Sequence, residues 1–135
     1  FTALPTTVVV DHMGRPDVRQ PVDGPEFALF TRFMHEHDNV WCKVSCPERL
    51  SVGGPPALNG EQNAYQDVRP FARHIVETFS DRVLWGTDWP HPNLKNHMPD
   101  DGLLVDVIPH IANTAQLQHK LLVSNPMRLY WPEEV

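Results

Sequence analysis

Apolar positions gather in three short runs, Thr6–Val10, Val40–Ser45 and Arg82–Trp85. The first and third are continuous rather than alternating, the pattern of strands buried on both faces of a parallel sheet. Elsewhere the apolar residues recur at helical spacing. Glu26–His37 places Phe27, Phe30, Phe33 and Met34 on one face. Val68–Phe79 repeats apolar residues at 68, 71, 72, 75, 76 and 79, a period of about 3.6 residues. Two further helices are predicted over Gly102–Ile111 and Ala115–Val123, the second with Thr114 as N-cap. Asn125-Pro126 reads as N-cap and first turn of a last short helix through Tyr130. Strands alternate with helices, so the order predicts a parallel α/β architecture. Two long Pro- and Gly-rich loops, residues 11–25 and 46–67, each follow a strand. Loops at that end of α/β folds carry the chemistry, and loops this long are uncommon unless functional or disordered.

Charge and composition narrow the class. Eleven Lys and Arg against 17 Asp and Glu give a net charge of −6, whereas nucleic-acid surfaces show a basic excess. No apolar run reaches about 18 residues, so no transmembrane helix is predicted. The start, Phe1-Thr2-Ala3-Leu4-Pro5, has neither a basic region nor a cleavage-type pattern nor an initiator Met. It reads as the continuation of a longer chain rather than a signal peptide. Cys42 and Cys46, four strand residues apart, would be separated by roughly 13 Å, too far for a disulfide. Two free thiols point to a reducing cytoplasm. The 14 prolines are scattered rather than periodic, which fits rigid loops.

Three polar clusters follow the three strands: Asp11-His12-Met13-Gly14-Arg15-Pro16, Ser45-Cys46-Pro47-Glu48-Arg49-Leu50-Ser51 and Trp85-Gly86-Thr87-Asp88-Trp89-Pro90-His91-Pro92. Parallel strands would bring them to one rim, with His12 facing Asp88 and with Arg15 and Arg49 alongside. A carboxylate can take a proton from water. An imidazole can polarise a carbonyl or hold an oxyanion, and arginines bind carboxylates in a fork. Two arginines suggest a substrate with more than one carboxylate. Singly, each residue has a plainer explanation. His12 could be a loop residue satisfied by backbone bonds, Asp88 a helix cap, and the arginines surface ion-pair partners. Lys43, in mid-strand, faces either the sheet interior or solvent at an edge. Trp85 and Trp89 are more often packing than substrate platforms. His35-Glu36-His37 has a metal-ligand spacing but falls on a helix, where i and i+2 point to different sides; no metal role is assigned to it. His74, His110 and His119 read as helix-surface positions, and His97 stays undecided. The sequence has no CxxC, HExxH, Gly-rich phosphate loop or GxSxG.

Val83-Leu84-Trp85-Gly86-Thr87-Asp88-Trp89-Pro90-His91-Pro92 resembles the last-strand signature of the amidohydrolase superfamily, in the branch of aromatic-acid decarboxylases and lactone hydrolases. Asn125-Pro126-Met127-Arg128-Leu129-Tyr130 resembles the same branch. Together with Asp11-His12-Met13-Gly14-Arg15 and Glu48-Arg49-Leu50-Ser51, the pattern is similar to the 2-pyrone-4,6-dicarboxylate lactonase (hydrolase) family. The resemblance implies a TIM-type (β/α)8 barrel, of which this chain would be the C-terminal part, about three β/α units. Residues 1–135 would then be the C-terminal portion of a single amidohydrolase-like barrel domain. Its N-terminal portion, with the family's H-x-H, would be absent. The implied activity is hydrolytic opening of 2-pyrone-4,6-dicarboxylate in aromatic (lignin) degradation by the protocatechuate 4,5-cleavage pathway. In that scheme Asp88 activates water, His12 sits at the lactone carbonyl, and Arg15 and Arg49 hold the substrate carboxylates. No cofactor is implied, the alternative being a divalent metal such as zinc in the full-length parent. The implied partner is a small dicarboxylate lactone, with no nucleic acid and no membrane. The competing functions are a metal-dependent decarboxylase or other lactonase of the superfamily, and an inactive half-barrel whose open edges self-associate.

Overall fold

The computed structural model describes residues 3–54, 64–95 and 97–135. Three strands, β1 (Val8–Val10), β2 (Val40–Ser45) and β3 (Val83–Gly86), form a parallel sheet in the order β1-β2-β3. Val8 pairs with Val40, Val10 with Cys42, Cys42 with Val83 and Ser45 with Gly86. The register therefore carries the three strand exits to one end. Central β2 is buried along its length except at half-buried Lys43. Val, Trp and Cys tolerate that two-sided burial, and β-branched residues favour the strand.

Helix α1 (Pro25–Glu36) starts with Pro at its first position, where a missing N–H costs nothing. It buries Phe27 and Met34. Helix α2 is a single turn, Pro47–Leu50, directly after β2. Helix α3 (Arg69–Thr78) turns Phe71, Ala72, Ile75 and Val76 into the core. The Phe27 and Phe71 rings meet edge to face at 5.0 Å, joining α1 to α3. Met34, Val40, Cys42, Val44, Ile75 and Val83 share one apolar core with these residues. Arg82, just before β3, fastens the far end of the layer. Its Nη1 donates to the carbonyls of His37 (3.0 Å) and Val40 (2.6 Å), and its Nη2 to that of Met34 (3.0 Å). The last carbonyls of α1, which have no partner within the helix, are capped in this way.

The helices after β3 depart from the predicted ones. Residues 102–111 do not form one helix but two, α4 (Asp101–Asp106) and α5 (Ile108–Ile111). Pro109 has no N–H to give and its ring crowds the carbonyl four residues back, so the helix cannot run through it. Helix α6 (Ala115–His119) begins as predicted, with Thr114 Oγ1 accepting from Leu117 N at 3.1 Å. It then widens into a π-helical turn (Lys120–Ser124) and continues into α7 (Asn125–Tyr130). Asn125 is thus no N-cap. It has helical dihedrals (φ −68, ψ −48) and is fully buried. Its Nδ2 donates to the carbonyls of Ser80 and Val83, both at 2.8 Å. No described helix is long and apolar enough to cross a membrane. Of the predicted second loop, residues 55–63 lie outside the described residues.

Candidate active site

Each strand exit turns through a left-handed residue that is not glycine. After β1 it is His12 (φ 55), after β2 Cys46 (φ 63) and after β3 Asp88 (φ 68). An L-residue held there costs about 1–2 kcal/mol, and such strain persists where the surroundings over-determine it, often at functional sites. All three point to one spot. A ligating atom from each of His12, Cys46 and Asp88 lies within 4.8 Å of the others.

The contacts around Asp88 are specific. Its Oδ1 lies 3.6 Å from His12 Nε2 and its Oδ2 lies 3.7 Å from Arg49 Nη1. The Cys46 thiol donates to Oδ2 across 3.3 Å. Burial pushes the Cys46 thiol well above the ordinary thiol range, helped by the negative charges of Glu48 and Asp88. It therefore stays protonated and acts as a donor. On the other side His12 Nδ1 lies 2.8 Å from Ser45 Oγ. Lys43 Nζ donates to Asp11 Oδ1 at 2.8 Å. A cleft of about 300 Å³ opens between these groups, lined by Asp11, His12, Lys43, Ser45, Trp85, Gly86 and Asp88. Lys43 and Ser45 alternate along β2, so both face the cleft.

Of the four residues predicted for the site, the fold brings His12, Asp88 and Arg49 together and leaves Arg15 outside their contacts. Arg15 sits on the turn after His12, with its N–H bonded to the His12 carbonyl at 2.8 Å and its side chain exposed. Trp85 lines the cleft, while Trp89 is 74% exposed. His35 packs on Phe79 and His37 on Phe33, so the two imidazoles of the H-x-H have separate neighbours. Sequence reasoning passed over Ser45, Cys46 and a trio built on the buried pair His91 and Glu48, in which His91 Nδ1 lies 3.0 Å from Glu48 Oε1 and Nε2 3.1 Å from Asp101 Oδ1. The available signal was the period of two through Lys43 and Ser45, and the position of Cys46, Glu48 and His91 inside the clusters themselves. Downstream of Arg49, Asp67 clamps the chain. It accepts from Ser51 Oγ (2.5 Å), Val52 N (2.7 Å) and Gly53 N (3.1 Å).

His12, Cys46 and Asp88 are residue types that zinc accepts. As metal ligands they would need Cys46 as its thiolate, the form that a bound divalent cation itself enforces. His12, Cys46 and Asp88 would hold such an ion, and in this structure the Cys46 thiol donates to the Asp88 carboxylate.

The family model described as amidohydrolase matches residues 1–131. The chain belongs to the amidohydrolase family. It is 82% identical over 135 residues to a 2-pyrone-4,6-dicarboxylate hydrolase of Comamonas testosteroni, matching all of this chain and 44% of that protein. Among solved structures, an Agrobacterium tumefaciens protein matches with a TM-score of 0.73 at 28% identity, over 96% of this chain and 43% of that one. An Acinetobacter baumannii protein described as a "probable" 2-pyrone-4,6-dicarboxylic acid hydrolase, with citric acid bound, matches with a TM-score of 0.64 at 26% identity, over 91% of this chain and 43% of that one. The chain spans less than half the length of these amidohydrolases, and its three parallel β/α units correspond to the C-terminal part of their barrel.

Proposed function

We propose that this chain forms the C-terminal part of a single barrel domain and carries one side of the active site of a hydrolase that opens the lactone ring of 2-pyrone-4,6-dicarboxylate. The observation that carries this is the 82% identity to the Comamonas testosteroni hydrolase across every residue of the chain. The site chemistry fits it. Asp88 accepts a proton from water while the oxygen attacks the lactone carbonyl. His12, hydrogen-bonded through Nδ1 to Ser45 Oγ, presents Nε2 beside Asp88, where an imidazole N–H can stabilise the developing oxyanion. The ring C–O bond then breaks, the proton held by Asp88 passes to the leaving enolate oxygen, and the former lactone carbonyl becomes a third carboxylate. Arg49, beside Asp88, and Arg15, exposed on the turn after His12, would each take a substrate carboxylate in a fork. Citric acid, bound in the Acinetobacter baumannii protein, has the same number of carboxylates as the ring-opened product. A reducing cytoplasm agrees with the unpaired Cys42 and Cys46, and a place in aromatic breakdown belongs to this proposal through its pyrone-dicarboxylate substrate.

The test is hydrolysis of 2-pyrone-4,6-dicarboxylate by the protein with its complete barrel, followed by loss of pyrone absorbance, beside the unsubstituted 2-pyrone. Turnover of the dicarboxylate with kcat/KM at least about 100-fold above the bare ring is expected, since each lost charged hydrogen bond removes about 1.5–3 kcal/mol. No turnover of the dicarboxylate, or equal rates for both rings, would reject the proposal.

A further inference from the structure

The trio around buried His91 has a place in this site. Glu48 lies on α2 next to Arg49, and His91 lies three residues beyond Asp88. The His91 N–H donates to the Asp88 carbonyl at 2.8 Å, which closes the turn carrying Asp88. The imidazole is fully buried, as is the Glu48 carboxyl facing it. Its second nitrogen meets Asp101, in the first turn of α4. Among the described residues Glu48 Oε2 has no hydrogen-bond partner, so His91 is the group that holds this buried carboxyl. Both ring nitrogens can donate at once only if the trio holds one proton more than a neutral imidazole between two carboxylates. The arrangement is a short clip, buried at Glu48 and His91 and open at Asp101, joining three segments: α2, the Asp88 turn and α4.

Its counterpart is a gap. Arg49 and Asp88 carry opposite charges yet stand 3.7 Å apart, where a free arginine and carboxylate would close to about 2.8 Å. We infer that His91, clipped between Glu48 and Asp101, is a positioning residue that holds Arg49 off Asp88. One oxygen of Asp88 is thereby kept for water and the Arg49 fork for a substrate carboxylate. The inference rests on the hydrolase function proposed above and extends it to a pair of loops.

The test replaces the buried pair by apolar side chains of similar size, Glu48→Leu with His91→Phe, in the protein with its complete barrel. Such exchanges often leave stability unchanged or raised. Thermal unfolding is therefore expected near the wild-type midpoint, while kcat falls and KM rises together, with kcat/KM down by about 100-fold, the scale of a 1 Å misplacement. Glu48→Gln, which keeps an oxygen opposite His91 Nδ1, should recover most of that loss. A merely structural pair would leave kcat and KM within about twofold once stability is preserved; that result would overturn the inference. Should the double variant not fold, Asp101→Ala removes the exposed arm of the clip. A fall in its kcat/KM supports the inference, and an unchanged value overturns it. A crystal structure of the folded variant gives a readout independent of turnover. Arg49 closing to direct contact with Asp88 supports the clip, and a separation still at 3.7 Å refutes it. If the wild-type protein does not open the lactone, the proposed function fails while the clip is still judged by that distance.

Discussion

Asn125 offers the sharpest separation between two physical accounts of the same residue. As an N-cap before Pro126 it would be exchangeable for Asp, because Asn and Asp cap about equally well, and Ala would cost about 1 kcal/mol. In the fold it is fully buried, and one NH₂ group holds the carbonyls of Ser80 and Val83, each at 2.8 Å. Two neutral hydrogen bonds contribute about 0.5–1.5 kcal/mol each, and leaving buried carbonyls without a donor adds to the loss, so Asn125→Ala should cost about 2–4 kcal/mol. Asn125→Asp should be worse than Ala, at about 4 kcal/mol or more. It turns carboxylate oxygens on two carbonyl oxygens and places a charge in a fully buried site. Urea denaturation of the three proteins, with the slope checked for constancy, gives the order wild type, Ala, Asp. An Asp variant within about 1 kcal/mol of wild type would refute the buried-donor account. The outcome bears on the site because Val83 opens β3, the strand that delivers Asp88.

Two further outcomes follow from the loop after β2. Arg49→Met should raise KM for the dicarboxylate by about 10–100-fold with a smaller change in kcat, the loss of one charged hydrogen-bonding fork; steady-state kinetics with an unchanged KM would count against carboxylate binding by Arg49. Burial works against the charge of Asp67, but the hydrogen bonds from Ser51, Gly53 and Val52 outweigh it and hold its carboxyl below the usual range. A depressed folded value stabilises the fold above the unfolded value, about 3.9, and that contribution is lost as pH falls through the folded one. Wild type should therefore exceed Asp67→Ala in urea stability at neutral pH, with the difference narrowing as pH falls below about 4; a difference that stays constant from neutral pH into acid would contradict the clamp.

Much of this molecule is legible from its pattern. Val40–Ser45 reads as a buried strand and is one, to the residue. The period through residues 68–79 becomes α3 with its apolar side inward. Parallel strands with polar clusters at their exits suffice to bring His12 towards Asp88 and Arg49. What escapes is whatever depends on partners distant in sequence or on backbone strain. Cys46 reads only as a thiol, since nothing in its letter reveals a left-handed φ or an Asp88 oxygen 3.3 Å away. Asn125-Pro126 carries the signature of a cap, and the carbonyls that claim Asn125 lie 42 and 45 residues upstream. Pro109 was visible and sufficient to break the helix at 107; there the apolar period of the flanking residues masked a stronger local rule. The His91 trio needs three segments at once, and no spacing along one of them announces it.

The central claim is that Asp88, held by Cys46 and flanked by His12 and Arg49, is the base that activates water for lactone opening. Asp88→Asn keeps the size of the side chain and an oxygen acceptor while removing the basic group. Measured on 2-pyrone-4,6-dicarboxylate in the protein with its complete barrel, kcat should fall by about 10²–10⁴-fold, with KM within about threefold of wild type. A kcat within about twofold of wild type would contradict the account.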